Sequence, residues 1–437
     1  MTEQYTEFIA EASHRLAELL FAELPKEHLE QVQCADREAA QVLRLVGQEA
    51  MRMLFAGLVA EVTEEAKRAG YKVERRPTIR VEVLFGPIEI QSPYVVRQGS
   101  GLRPVKEKLK VTHATRTPAV ERALSDFGAE ESFAHAATRF HEHYGWEIGS
   151  STVLRVVEGV AEEAEQYLTQ RFAAVRRAYE LPEGVRRGVA ELLVELDGCE
   201  IRTVVCGKEL VGETNEIKRT RETAWKEVRV GLSGRLDSQA RTFVAKLGSY
   251  PHVCHELFSA AISEGLSPRT KVIGVADGGH GLREELQTQF PKLQFILDKS
   301  HLVSHLYETA EALNLNERER RSWVEEKMER ISSGKVLAVI TELKREEKSC
   351  HRVRRLADYL ARFQDAVFYD EYAARGYPIG SGEVESAHRY IPQKRLKIAG
   401  ASWLSETVNK MLAMRVIRAN GWWADFWRQR QSEFLAA

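Results

Sequence analysis

Residues 192–198 read LLVELDG. A short apolar run of this kind predicts a buried strand, and the Asp-Gly pair that follows predicts its end. Residues 272–279 read VIGVADGG and repeat the pattern. The sequence therefore predicts a sheet in which two strands each end in an aspartate followed by glycine, at Asp197 and Asp277.

The residues around these two stretches predict the rest of that sheet. Strands are expected at 201–206, 224–232 and 293–297, and helices at 238–248 and 281–289, from their apolar spacing. The predicted order is three strands, a helix, a strand, a helix and a strand. This order is typical of an α/β sheet with mixed pairing.

Asp197 and Asp277 are the first candidate site residues. Ligands of open α/β sheets gather at the carboxyl ends of strands, and adjacent strands would place the two carboxylates about 5–6 Å apart. Carboxylate oxygens suit Mg²⁺ or Mn²⁺. Taken singly, each aspartate is also compatible with an ordinary strand-end turn.

A third acid is expected from residues 380–386, which read GSGEVES. A helix that begins near Ser381 would carry Glu385 in its first turns, where a glutamate also stabilises a helix without any catalytic role. Acidic residues that bind a metal, next to basic residues that bind a phosphate backbone, are expected of an enzyme that catalyses phosphoryl transfer on nucleic acid. The candidate DNA-binding bases that follow are Arg389, Lys394, Arg395 and Lys397.

The N-terminal part of the chain predicts a mainly helical region that contains a β-hairpin. Amphipathic helices are expected at 5–24 and 36–69, with Asp36 as N-cap and Gly70 as C-cap, and a hairpin is expected over 78–97. Helices at 118–127, 131–143 and 150–176 with tight connections suggest a helix-turn-helix, although simple bundle packing gives the same pattern.

The C-terminal half is helical outside the sheet. Residues 302–375 are highly charged with apolar stripes, 405–420 form a basic helix, and 422–427 are aromatic and expected to anchor against the body of the protein.

Composition narrows the class of protein. The chain has 437 residues and a net charge of −1, which argues against a uniform coat of nucleic acid. Residues 1–70 nevertheless hold 13 acidic and 7 basic residues, whereas 386–430 hold 2 acidic and 9 basic ones. The absence of a long apolar window, of a signal-like start and of a CxxC pair among five cysteines predicts a reduced, cytoplasmic protein without a disulfide framework or a paired-cysteine zinc site. Its basic C-terminal part suggests a polyanion partner and so a nucleoid-associated protein.

The ordered set of motifs resembles a known family. The chain is similar to bacterial DDE insertion-sequence transposases of the Mutator-related group, which carry an RNase H-like catalytic domain. The similarity spans about 78–430, and the pieces that carry it are 196–198, 225–228, 276–279, 297–301, 380–386, 395–397 and 400–403.

The resemblance implies a function and a site. It implies metal-dependent cleavage and strand transfer of double-stranded DNA, at the element's terminal inverted repeats and at a target, by a homo-oligomer that uses two Mg²⁺ or Mn²⁺ ions. Asp197, Asp277 and Glu385 would be the catalytic metal ligands, with Glu383 the second choice for the glutamate. Asp298 and His301 would match a supporting D-x-x-H motif, although the same two residues are also compatible with a helix N-cap and a surface or core histidine.

The resemblance also implies a domain organisation. An RNase H-like mixed α/β domain at 187–301 and 376–437 would be interrupted by an all-helical insertion at 302–375. A helical region at 1–75 and a hairpin-containing DNA-binding region at 76–180 would precede it. Two alternatives stay open, namely a catalytically inactive DNA-binding or assembly protein derived from this fold, and another RNase H-like nuclease.

Overall fold

A computed structural model describes residues 3–23, 32–180, 188–211, 216–346 and 350–436. The chain divides into two compact units, residues 1–157 and 158–437. The two units combine helices with mixed sheets, as expected for a multidomain α+β protein. In the described ranges no helix is long and apolar enough to cross a lipid bilayer.

The first unit begins with two helices, α1 (Glu3–Glu23) and α2 (Val32–Arg68). The predicted N-cap at Asp36 is wrong, because α2 begins at Val32. The predicted end at Gly70 is confirmed: Gly70 has φ +88°, and the amide of Tyr71 donates back to the carbonyl of Ala66 at 3.1 Å.

Two small sheets follow α2 and confirm the predicted hairpin. Its strands β2 and β3 pair antiparallel across a turn at residues 84–85, just before the predicted Gly86, and β6 extends them. In the second sheet, β4 joins β1 to β5. One apolar core joins α2 to β2 and β3, and includes Val59, Val81 and Ile88. The strands are β1 (Lys72–Arg75), β2 (Thr78–Val83), β3 (Gly86–Gln91), β4 (Tyr94–Arg97), β5 (Ser100–Leu102) and β6 (Thr115–Arg116).

The helices expected after the hairpin are present. A short helix, α3 (Pro104–Leu109), precedes α4 (Pro118–Gly128), α5 (Phe133–Tyr144) and α6 (Ser150–Glu180). Ser132 caps α5 by accepting from the amide of His135, and Gly145 ends it in the left-handed conformation. The connections are as short as a helix-turn-helix requires, and DNA reading by these helices stays a prediction.

The second unit contains a six-stranded sheet. Its main path is β11-β10-β7-β8-β9, in which β7, β8 and β9 are antiparallel and β10 and β11 run parallel to β7. The short strand β12 pairs with β7 beyond this path. The strands are β7 (Glu191–Val211), β8 (Glu216–Arg235), β9 (Thr242–Leu247), β10 (Lys271–Ala276), β11 (Leu293–Leu297) and β12 (Trp403–Leu404).

Two sequence predictions for this sheet are wrong in their elements. The strands expected at 192–196 and 201–206 are one strand, β7, which passes through Asp197 and Gly198 without a break. The helix expected at 238–248 is instead strand β9, and α7 (Tyr250–Ser263) follows it. The two errors offset each other, so the sheet still has three antiparallel strands before the parallel pair.

Helices complete the second unit. The charged segment expected to be all-helical is so in the part that the structure describes, and α8 precedes it near the predicted 281–289. A π-helical turn at Arg389–Gln393 separates α14 from α15. The helices are α8 (Leu282–Gln289), α9 (Lys299–Ala312), α10 (Glu317–Ser332), α11 (Val336–Glu346), α12 (His351–Arg362), α13 (Tyr369–Ala374), α14 (Gly382–His388), α15 (Lys394–Leu396), α16 (Ser405–Ala419) and α17 (Trp423–Ala436).

Candidate active site

Three aspartates lie side by side at one edge of the large sheet. Leu196 of β7 is in register with Ala276 of β10, which is in register with Leu297 of β11. The next residue of each strand is an aspartate, so Asp197, Asp277 and Asp298 form one row. Residues in register on adjacent strands share a face and lie about 4.8 Å apart across the sheet, so the row brings the two predicted aspartates together.

Asp197 is the least stabilised carboxylate of the row. Its Oδ1 accepts from the amide of Gly198 at 2.7 Å. Burial raises the pKa of Asp197, and the neighbouring charges of Asp277 and Asp298 act in the same direction, whereas the Gly198 amide and His301 lower it. A carboxylate that is desolvated and close to other acids gains from a bound cation.

Gly198 packs against a flexible side chain. A Cβ there would meet the carboxylate end of Glu227, which forms an ion pair with Arg229 and can move aside. Gly198 is in register with Arg229 of β8, so β7 continues through it.

Asp277 lies in a loop that contacts helix α12 of the helical segment. Its Oδ1 accepts from the amide of Gly279 at 3.0 Å. The ring of Tyr359, from α12, packs so closely on Gly278 that a Cβ there would collide with it. Arg362, also from α12, donates to the carbonyl of Gly278 at 2.7 Å. Helix α12 thus fixes the backbone next to Asp277.

Asp298 is buried and held by hydrogen bonds from two segments of the protein. It is 1% exposed and caps α9, accepting from Ser300 Oγ at 2.6 Å and the His301 amide at 2.8 Å. Its other oxygen accepts from the amide and Oγ of Ser381 at 2.6 and 2.7 Å. Burial alone would raise the pKa of Asp298, but these donors outweigh it and lower the pKa. The D-x-x-H pair predicted from the sequence is thus a helix cap in which His301 contributes its backbone amide.

Helix α14 carries the two candidate glutamates. Val384, Ala387 and His388 are buried, whereas Glu383 and Glu385 are exposed. Glu383 forms a two-point ion pair with Arg241, with Arg241 Nη2 2.8 Å from Glu383 Oε1. The Glu385 carboxylate forms no ion pair or hydrogen bond with the described part of the chain. It lies on the helix near His388, and its charge raises the pKa of His388.

His388 brings α14 against Asp197. Its Nε2 lies 3.4 Å from Asp197 Oδ2, and the side chain is 3% exposed. Burial lowers the pKa of His388 to about 4. The imidazole is therefore neutral at pH 7 and does not supply Asp197 with a positive partner.

Glu195 is a buried acid that the sequence analysis did not single out. It lies two residues before Asp197 on the same face of β7, and its Oε2 accepts from the amide of Val384 at 2.8 Å. It is 1% exposed, and burial raises its pKa to about 8. The sequence already indicated an unusual acid here, because a charged residue inside the apolar run LLVEL is expected either to be buried or to have a partner.

The donor set fits a divalent cation in part. Asp197 and Asp277 supply adjacent carboxylates, which are the ligand type that Mg²⁺ and Mn²⁺ prefer. No group of three or more His, Cys, Asp or Glu side chains within the described ranges is close enough to hold a metal. The row therefore offers two ligands, and Glu385 is not drawn together with them.

The four predicted DNA-binding residues lie in different environments. Arg389, Lys394 and Lys397 are exposed. Arg395 is 3% exposed, with its guanidinium 4.7 Å above the centre of the Trp403 ring, and burial lowers its pKa to about 10. Arg395 thus packs inside the protein, where a phosphate does not reach it.

Comparisons with known proteins give little further information. No protein-family model matches the chain, and no curated protein matches it. One similar solved structure is titled Drosophila P element transposase strand transfer complex; it is 10% identical, with 76% of this chain and 84% of that chain covered, at a TM-score of 0.24. A likeness at this TM-score assigns neither a fold nor an activity to this chain.

Proposed function

We propose that this chain is a DDE-type DNA transposase with an RNase H-like catalytic domain, of the bacterial Mutator-related insertion-sequence group. The observation that carries the proposal is the row of aspartates, in which Asp197 lies within β7 and Asp277 directly follows the neighbouring strand β10. Three antiparallel strands followed by two parallel ones, with a helical segment inserted after β11, support the same fold.

In this proposal Asp197 and Asp277 hold Mg²⁺ or Mn²⁺. A pair of such ions would activate a water or a DNA 3′-hydroxyl for attack on phosphorus and stabilise the leaving oxygen. The neutral imidazole of His388 leaves the negative charge of Asp197 available. Helix α12 keeps the Asp277 backbone in place through Arg362.

Glu385 is the proposed third ligand. It is exposed, it lies on the helix that contacts Asp197 through His388, and no described side chain neutralises it. We propose that α14 shifts when DNA and metal are bound, so that Glu385 joins the aspartate pair as the third ligand.

The basic residues beyond α14 would bind the DNA backbone. Arg389, Lys394 and Lys397 are exposed on the segment that leaves the site. Cations of this kind position a nucleic acid without reading its bases. The substrates would be the element's terminal repeats and a target duplex, and the working form would be a homo-oligomer.

The proposal is tested by nicking of supercoiled plasmid DNA in the presence of Mn²⁺. We expect Asp197→Asn to lower the rate at least about 100-fold, since even changes around metal ligands cost about 10–100-fold. DNA affinity should be retained, because the substitution removes a negative charge and no phosphate contact. Asp370→Asn, an exposed aspartate on α13, is the matched control and should nick normally.

The incomplete acid cluster favours one other function. If only two carboxylates converge, the chain could bind DNA without cutting it. Equal nicking by the wild type and Asp197→Asn would overturn the proposed activity. Cleavage of RNA–DNA hybrids without strand transfer would instead indicate another RNase H-like nuclease.

A further inference from the structure

The segment that carries α14 is attached to the sheet by backbone hydrogen bonds. The carbonyl of Ile379 accepts from the amide of Lys299 at 3.0 Å. The amide of Ser381 donates to Asp298 at 2.6 Å, and that of Val384 donates to Glu195 at 2.8 Å. These contacts set the height of the helix above β7. The buried side chains of Val384, Ala387 and His388 set which face of the helix meets the sheet.

Arg241 supplies a side-chain contact that also constrains the rotation. Its Nη1 donates to the carbonyls of Ser238 and Ala240 at 2.6 and 2.8 Å, which fixes the guanidinium in the connection between β8 and β9. Its Nε and Nη2 both bind the carboxylate of Glu383. The Arg241 side chain is only 9% exposed. A planar guanidinium held in this way fixes the orientation of its carboxylate.

Because of helix geometry, this contact determines which of the two glutamates lies near Asp197. Successive residues are about 100° apart, so Glu383 and Glu385 point about 200° apart. Val384, Ala387 and His388 face the sheet. Glu385 is therefore on the flank next to His388, which contacts Asp197, and Glu383 is on the opposite flank.

We propose that Arg241 is a positioning residue which, by binding Glu383, fixes the rotation of α14 and selects Glu385 as the carboxylate that joins Asp197 and Asp277. This inference rests on the proposed function. It assigns Glu383 to the support of the helix and gives the Arg241–Glu383 pair a role that neither residue's sequence context indicates.

The charges around the pair agree with this role. Glu383 lies close enough to Glu195 to disfavour a second negative charge there, and Arg241 offsets that effect. Arg241 thus neutralises Glu383 beside a buried acid.

The test is a charge exchange between the two positions. Arg241→Glu and Glu383→Arg are each expected to weaken Mn²⁺ binding, measured by calorimetry, and to slow plasmid nicking by about 10–100-fold, as expected for a displaced site group. The double variant, with both substitutions, should return both quantities to within about threefold of the wild type. DNA affinity should be unchanged throughout.

A second ion pair in the same connection provides the control. Arg235 and Asp237 form a similar two-point pair, with 2.7 Å between Arg235 Nη2 and Asp237 Oδ2, and both side chains are exposed. Arg235→Glu should leave Mn²⁺ binding and nicking unchanged. Thermal unfolding of each variant separates loss of the fold from displacement of α14, and Glu383→Gln provides a milder replacement if the arginine is not tolerated.

The outcomes separate this inference from the proposed function. If Glu383 were itself the metal ligand, the double variant would stay as impaired as Glu383→Arg, and the inference would be wrong. It would also be wrong if Arg241→Glu behaved like Arg235→Glu while Asp197→Asn lost Mn²⁺ binding and nicking. If Asp197→Asn kept both, the proposed function would fail, and this inference with it.

Discussion

Asp197 and Asp298 occupy the two ends of one row of aspartates, yet their environments are opposite. Asp298 accepts from four donors and is held at a helix N-terminus and against Ser381. Asp197 accepts from one amide and faces a neutral imidazole. Protein donors lower the pKa of the first, and burial raises the pKa of the second.

The difference shows that two neighbouring carboxylates can have different roles. Asp298 follows β11 and is satisfied by protein donors, whereas Asp197 lies within β7 and has few donors. A carboxylate that protein donors already satisfy stabilises the fold, whereas a desolvated one with few donors is stabilised by a ligand from outside. The aspartate row therefore contains a structural end, Asp298, and an end that fits the proposed metal-binding function, Asp197.

The largest expected effect concerns the stability of the metal-free protein. Asp298→Ala leaves the Ser381 amide and the start of α9 without an acceptor, and should lower the free energy of unfolding by about 2–4 kcal/mol. Asp197→Ala should change it by no more than about 0.5 kcal/mol, or raise it. Denaturation in EDTA measures both, and equal losses would contradict the distinction between the two ends.

The sequence located the neighbouring strands that carry Asp197 and Asp277, because a buried strand depends on local composition. The strand end was predicted correctly at Asp277 and wrongly at Asp197, where β7 continues in its pairing with β8. The cap that Asp298 forms on α9 was one of the roles open from the sequence, but its contact with Ser381 was not predictable, since Ser381 lies 83 residues away. The same holds for Glu383, whose partner Arg241 is separated from it by 142 residues.

The wrong helix at 238–248 has a similar cause. Alanine, lysine and leucine in that stretch favour a helix locally. The structure makes it an edge strand whose backbone is satisfied from α16: Asn420 accepts from the amide of Phe243 and Asn409 from that of Leu247, both at 2.8 Å. Contacts between distant segments override local propensity here, and one sequence alone does not show them.

A smaller effect extends the comparison to two basic residues. Arg395 is buried against Trp403, and Lys397 is exposed two residues later. Arg395→Ala should destabilise the protein by about 1–2 kcal/mol through the lost stacking. Lys397→Ala should leave stability unchanged and reduce the slope of DNA affinity against salt by about 1. Binding titrations at several salt concentrations test this, and a reduced slope for Arg395→Ala without destabilisation would reverse the assignment.

The smallest expected effect is a difference in pH dependence between the two ends of the row, measured in EDTA. The pKa of Asp298 lies below its ordinary value of 3.8, so its stabilising contribution is present above that pH and is lost as the pH falls. The pKa of Asp197 lies above 3.8, so folding favours its protonated form, and that contribution is lost as the pH rises through the folded pKa.

Asparagine substitutions convert these signs into a measurement. The stability deficit of Asp298→Asn should shrink as the pH is lowered from 6 towards 3, because the wild type loses the contribution that the variant lacks. As the pH is raised from 3 towards 6, the stability of Asp197→Asn relative to the wild type should increase. Parallel pH profiles for the two variants would mean that the row has no structural and functional ends, since both carboxylates would then have the same balance of burial and donors.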